Sequence, residues 1–312
     1  MSDMFSKLKR TSSDIEKLQK AVESVSTQTN NEDDNEKNYW RPAVDQAGNG
    51  MAIFRFLPAP AADHDPAKPD EDPLPWAKMW SHGFQGPGGK WYVDNCPTTK
   101  GEKCPVCEKN SILWNTGLQA NKDIVSKQKR RLHYTSNVYV VSDPKNPENE
   151  GRVVLFKYGK KIFDKIQEAL KPAFPDEPKV NAFDMWGGAN FKMKITKVAG
   201  YANYDKSEFE KPSRLEPTDE QLKKIWNSCF PLKPIVLDDK FKPYDELQLK
   251  LNRVLGLNGE TITPQTTVES IRQEVKASGF TPKAVVTDEY FSDDVGDENT
   301  GIDFFKNIAN QD

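Results

Sequence analysis

Apolar positions along this chain alternate between two spacings, and each change of spacing marks an element. Ser13-Asp14-Ile15-Glu16 has the form of a capping box, with Ile15, Leu18, Val22 and Val25 following at helical intervals. That predicts a short amphipathic helix over 13–25. Ser26 to Lys37 is polar and acidic, a linker by composition. The body begins near Tyr39-Trp40, and Met51 to Leu57 reads as a strand ending at Pro58. From Pro58 to Pro75 the chain is rich in Pro, Ala and Asp without periodicity, which predicts an exposed loop. Val138 to Val141 and Arg152 to Tyr158 are strand candidates across the turn at Asp143-Pro144 to Gly151. Lys160 to Lys171 places Ile162, Ile166 and Leu170 on one helical face and stops at Pro172.

Phe191, Met193 and Ile195 alternate with Lys192, Lys194 and Thr196, a strand with one apolar and one basic face. Further helices are expected over 218–229 (Thr218 and Gln221 as a capping box), 244–255 and 267–278. No internal repeat is visible. Short strands, intervening helices and long loops give an α+β class rather than an alternating βαβ series.

The chain has 312 residues, enough to bury a core, and no apolar run of the roughly 18 residues that would span a membrane. Its start, Met1 to Arg10, has no apolar stretch of the signal-peptide kind, so the chain is expected to stay where it is made. Formal net charge is −3, unevenly spread. From Asp288 onward eight acidic residues face Lys306 alone, so the tail carries −7 and the rest of the chain +4. A mildly basic body with an acidic tail suits a nucleic-acid binder with a screening or partner-binding appendage, and equally a solubilising tail.

Three of the four cysteines fall within twelve residues, which is no disulfide framework; in a reducing compartment clustered cysteines favour metal. The constellation is His82-x13-Cys96-x7-Cys104-x2-Cys107. A Cys-x2-Cys knuckle brings two thiolates to one tetrahedral ion, and two earlier ligands close the shell, so one structural zinc ion (Zn2+) per chain is expected. Pro105 suits the first turn of a helix running towards Trp114. A redox Cys104/Cys107 pair or unrelated buried thiols are the competing readings, and the pair lacks a thioredoxin-like βαβ context. His64 and His133 are possible substitutes for His82, less favoured because one lies in the loop and the other beside a basic run. Cys229 reads as a core residue.

After the cysteines comes Lys127-Gln128-Lys129-Arg130-Arg131-Leu132-His133-Tyr134. Single-stranded nucleic acid is held by cations that follow phosphates and by rings that stack on bases, and this run has both. Phe156-Lys157-Tyr158-Gly159-Lys160-Lys161 repeats the combination, and Tyr201 with Tyr204 adds two rings. A solvated charged face over buried aromatics is the ordinary alternative for any one cluster. No Walker-type loop, nucleophile–base pattern or carboxylate spacing points to an enzyme.

These residues resemble the single-stranded DNA-binding (helix-destabilising) proteins of T-even-type bacteriophages. The resemblance rests on Ala47-Gly48-Asn49-Gly50, Arg55-Phe56-Leu57-Pro58, His82-Gly83-Phe84, Gly89-Lys90-Trp91-Tyr92 and Cys104-Pro105-Val106-Cys107, and continues through Gly188-Ala189-Asn190-Phe191 to Asp239-Lys240-Phe241-Lys242. It implies an OB-fold (a five-stranded Greek-key barrel) with an inserted zinc subdomain at about 78–120, within a core over 29–257. It further implies that Arg55, Trp114, Lys129, Arg130, Arg131, Tyr134, Phe156, Tyr201 and Tyr204 line the strand-binding cleft, with Tyr158 and Lys160 in the cluster above. An arm over 1–28, through Lys9-Arg10-Thr11-Ser12, would dock on the next bound copy. Residues 258–312, with the acidic tail, would recruit replication and recombination proteins. The function so implied is cooperative, sequence-indifferent coating of single strands during phage DNA replication, recombination and repair, in the host cytoplasm. A zinc-containing RNA-binding or transcription-regulatory protein is the alternative.

Overall fold

A computed structural model describes residues 38–68 and 71–257. The expected helices at 13–25 and 267–278, the arm motif at Lys9 to Ser12 and the acidic tail from Asp288 lie outside the described residues. Nine strands and five α-helices are present among those described. In chain order they are β1 Tyr39–Trp40, β2 Gly50–Phe56, β3 Ala77–Gln85, β4 Trp91–Asn95, α1 Pro105–Asn115, α2 Gln119–Gln128, β5 Arg131–Ser142, β6 Val153–Tyr158, α3 Lys160–Leu170, β7 Phe191–Val198, β8 Tyr201–Asn203, β9 Glu208–Phe209, α4 Asp219–Asn227 and α5 Tyr244–Leu255. The class is α+β, as the pattern implied.

The sheet is organised on β5, which at 12 residues is the longest strand. One edge pairs antiparallel with β6 from Tyr134 to Tyr139. The other edge pairs first with β3, over Arg131 to Thr135, and then with β2, over Val138 to Ser142. A register shift at Ile53/Phe54 accommodates the change of curvature on β2. β7 continues the sheet beyond β2, β8 follows β7, and β1 pairs parallel with β6. One edge of β5 is therefore shared, its first half pairing with the β3–β4 hairpin and its second half with β2, while Leu132 and Tyr134 already pack in the main core.

That core interlocks aromatic rings with branched aliphatics. Phe54 has ring centroids of Trp40, Phe156 and Phe191 within 5.0–5.5 Å, in edge-on or tilted contacts. Helix α3 closes it with Ile162, Phe163, Ile166 and Leu170, while β7 buries Phe191, Met193 and Ile195 and exposes Lys192 and Lys194. Thr218 and Gln221 form the capping box at the start of α4.

A second apolar cluster joins Phe84, Tyr92, Val106 and the buried Cys96 and Cys104 to Leu247, Leu251 and Val254 of α5. A Cβ at Gly86 would collide with the Val254 carbonyl, so only glycine lets the β3–β4 hairpin approach that helix. The hairpin module thus recruits a helix from more than a hundred residues away, beyond the 78–120 span expected for it.

The segment 58–75 departs from expectation. Pro58, Ala59 and Pro60 are buried, and the Asp63 carboxylate is 3% exposed, accepting the Leu232 N–H at 2.7 Å and the Lys233 N–H at 3.2 Å. Two backbone donors, the buried Leu232 N–H first, share that acceptor, which holds the start of the loop inward. Among its described residues only Ala62, 65–68 and 71–72 are exposed.

Candidate functional site

His82 lies on β3, Cys96 immediately after β4, Cys104 caps α1 and Cys107 sits in its first turn. The donor atoms of these four residues lie within 4.8 Å of one another. Cys96 Sγ is 3.6 Å from Cys107 Sγ, and His82 Nε2 is 3.5 Å from Cys104 Sγ and 3.4 Å from Cys107 Sγ. A tetrahedral ion with Zn–S near 2.3 Å and Zn–N near 2.0 Å requires S···S edges of about 3.8 Å and N···S edges of about 3.5 Å. The donor set and its spacing therefore fit zinc. Four protein donors leave no open position, as a structural ion requires. Among the described residues neither His64, His133 nor Cys229 joins a metal-binding group.

The imidazole is oriented from behind. His82 Nδ1 is 3.0 Å from the Gln128 carbonyl, which can only accept, so Nδ1 bears the proton and Nε2 faces the sulfurs. Burial opposes a charge on His82, but its interactions with Cys96 and Cys104 overcome it and push the pKa up to about 10. Burial likewise opposes ionisation of Cys96, and hydrogen bonds from Cys104 and Cys107 with the charge of His82 bring it well below the ordinary thiol value. Cys107 is pushed well above that value by its bonds to Cys104 and Cys96. Without metal the cluster holds an imidazolium–thiolate pair; a bound ion displaces protons from it.

The basic run leaves this cluster directly. Gln128 ends α2 and Arg131 opens β5. Lys129 and Arg131 are partly exposed and Lys127 exposed. Arg130 is turned inward, its guanidinium 4.2 Å from the Trp80 ring centroid and its Nη1 donating to Thr98 Oγ1 at 2.6 Å. At the far end of α1, half-buried Trp114 has Lys122 Nζ 5.5 Å from its ring centroid. Tyr201 is 43% exposed on the β7–β8 hairpin, and Lys160 is exposed but paired with Asp164 at 2.7 Å.

Five expected cleft residues are interior instead. Arg55 is 0% exposed, donating through Nε to Asn190 Oδ1 at 3.0 Å, Nη1 to the Asp184 carbonyl at 3.1 Å and Nη2 to the Ser213 carbonyl at 3.0 Å. It is a buried clamp between β2 and two loops; desolvation lowers its pKa to about 10 despite Asp184 and Glu210. Tyr134 stacks on Phe163 at 3.8 Å, Tyr158 bonds Ser136 at 2.9 Å, and both lie with Phe156 and Tyr204 in the main core. Phe156 and Tyr158 point inward because period two places them on one face, with Lys157 on the other. That alternation is visible in the sequence and marks them as core. Conversely, Trp80, Thr98 and Gln128 surround the metal cluster without having been singled out; a hydroxyl residue two positions after a ligand cysteine was the available signal for Thr98.

Comparison with known proteins bears on both regions at once. Residues 48–255 match the family described as gp32 DNA binding protein like. The chain is 35% identical over 252 residues to the single-stranded DNA-binding protein of Enterobacteria phage T2, covering 78% of this chain and 79% of the relative. The same figures hold for the protein of that name from Enterobacteria phage T4. A protein of the same name from Escherichia phage SV14 is 43% identical over 85 residues, 26% of this chain and 66% of the relative.

Proposed function

The chain belongs to the gp32-like family of DNA-binding proteins, and from that premise we propose that it coats single-stranded DNA without regard to sequence. One observation carries this: the similarity to phage single-stranded DNA-binding proteins runs through the sheet core and the metal module alike. The role is binding, not catalysis, and it serves phage DNA replication, recombination and repair in the cytoplasm of the bacterial host. The sheet on β5 is the OB-fold part of the 29–257 core, and the module built on β3, β4 and α1 is its inserted zinc subdomain, holding one structural ion.

Strand binding follows from cations on phosphates and rings on bases. Lys129, Arg131 and Lys160 supply charge, and Trp114 and Tyr201 supply rings that solvent reaches. Each stacked base contributes about 1–3 kcal/mol without demanding a sequence, and each neutralised phosphate steepens the salt dependence by about 0.7 in log–log slope. Tyr134, Phe156, Tyr158, Tyr204 and Arg55 support the strands from below. The arm over 1–28, through Lys9 to Ser12, couples neighbouring copies, and residues 258–312 present the acidic tail to replication and recombination proteins.

The test is a titration with oligo(dT), followed by tryptophan fluorescence and repeated with duplex DNA and oligo(U) at several salt concentrations. Preference for oligo(dT), weakening with salt, is expected. Equal affinity for duplex, or preference for oligo(U), overturns the proposal.

A further inference from the structure

The metal cluster is tied to the basic run at two points. The Gln128 carbonyl accepts from His82 Nδ1, and two residues on Arg130 reaches Cys96 through Thr98. A hydroxyl has one proton and two lone pairs. Thr98 Oγ1 accepts from Arg130 Nη1 at 2.6 Å, so its own proton is free for Cys96 Sγ, 3.1 Å away. A metal-bound sulfur carries no proton, which fixes the same direction. Trp80 completes the arrangement: its ring packs on the guanidinium, its N–H donates to Thr99 Oγ1 at 2.9 Å and its carbonyl accepts the Cys96 N–H at 2.8 Å.

Charge explains why a cation belongs there. A divalent ion with three thiolates and a neutral imidazole carries −1, buried among Phe84, Tyr92 and Val106. A buried charge needs compensation, by an opposite charge or by hydrogen bonds from outside the first ring of ligands.

Resting on the metal reading above, we propose that Thr98 and Arg130 form an outer-shell strut, in which Arg130 offsets the charge of the metal cluster through the Thr98 hydroxyl instead of binding phosphate. Both are positioning residues. Arg130, held inward, lies between Lys129 and Arg131, so the filled cluster anchors the segment that carries these two cations.

The test follows zinc release from the full-length chain to a chromogenic chelator and needs no DNA, so it stands apart from the strand-binding assay. Thr98→Val is expected to release zinc about 10–100-fold faster, the usual range for losing an outer-shell partner, and Thr98→Ser to restore wild-type release. Arg130→Gln should also accelerate release, and the double variant Thr98→Val/Arg130→Gln should go no faster than the faster single variant, because both break one chain of contacts. Wild-type release from Thr98→Val, or effects that multiply in the double variant, overturns the strut. A wild-type chain that takes up no zinc removes the metal reading itself, and the strut with it.

Discussion

β5 joins two kinds of interior. Its second half crosses a core in which Trp40, Phe54, Phe56, Phe156, Tyr158 and Phe191 interlock, closed by an amphipathic helix. Its first half borders a module whose apolar cluster is Phe84, Tyr92, Val106 and three side chains of α5, completed by two of its own metal ligands. The larger interior removes enough apolar surface from water to hold its shape. The smaller one has fewer apolar side chains, and small modules of that kind recruit metals for closure. Four donors brought together by a hairpin, a loop and a helix start do in the module what rings do in the sheet.

Variants separate the two interiors. Cys107→Ser is expected to abolish zinc uptake and with it ion-binding energy on the order of 10 kcal/mol, the largest effect here. Retained stoichiometric zinc, measured by atomic absorption, would contradict the four-ligand assignment. Next come two truncations of similar chemistry. Phe54→Ala should cost about 3–5 kcal/mol of global stability in denaturant melts with zinc content unchanged. Leu251→Ala, at about 2–5 kcal/mol, should instead loosen the module and speed zinc loss. If both act identically on zinc retention, the interiors are not separate.

Acid acts on the metal cluster itself. His82, pushed up to about 10 without metal, carries at neutral pH a proton on Nε2 that an incoming ion must displace, and Cys107 carries another. Zinc affinity should therefore fall with falling pH, by about tenfold per unit for each proton displaced. A competition titration between pH 8 and 6 that came out flat would contradict this.

The elements legible in the sequence are those with one wet and one dry face. α3 and β7 bury every position that periodicity assigned to their apolar face. β3 escaped because Lys78, Met79, Trp80 and Ser81 are all half-buried, giving no alternation to read. α2 escaped because only Val125 and Gln128 of its ten residues are buried. The metal ligands were legible because their spacing is nearly local, within 26 positions of one another. Gln128 and Thr98 were not, since the roles of both depend on partners 46 and 32 residues away, His82 and Arg130. Rings beside lysines look like a stacking platform when only composition is weighed, yet the alternation around Lys157 already turned Phe156 and Tyr158 inward.

On this reading the module is closed by its ion and the sheet core by its rings. Amide hydrogen exchange on the full chain, zinc-loaded against chelator-stripped, tests it most directly. Stripping is expected to remove protection from β3, β4, α1 and α5 while β2, β6 and β7 keep theirs. Equal loss across both regions, or no change in the module, would contradict it.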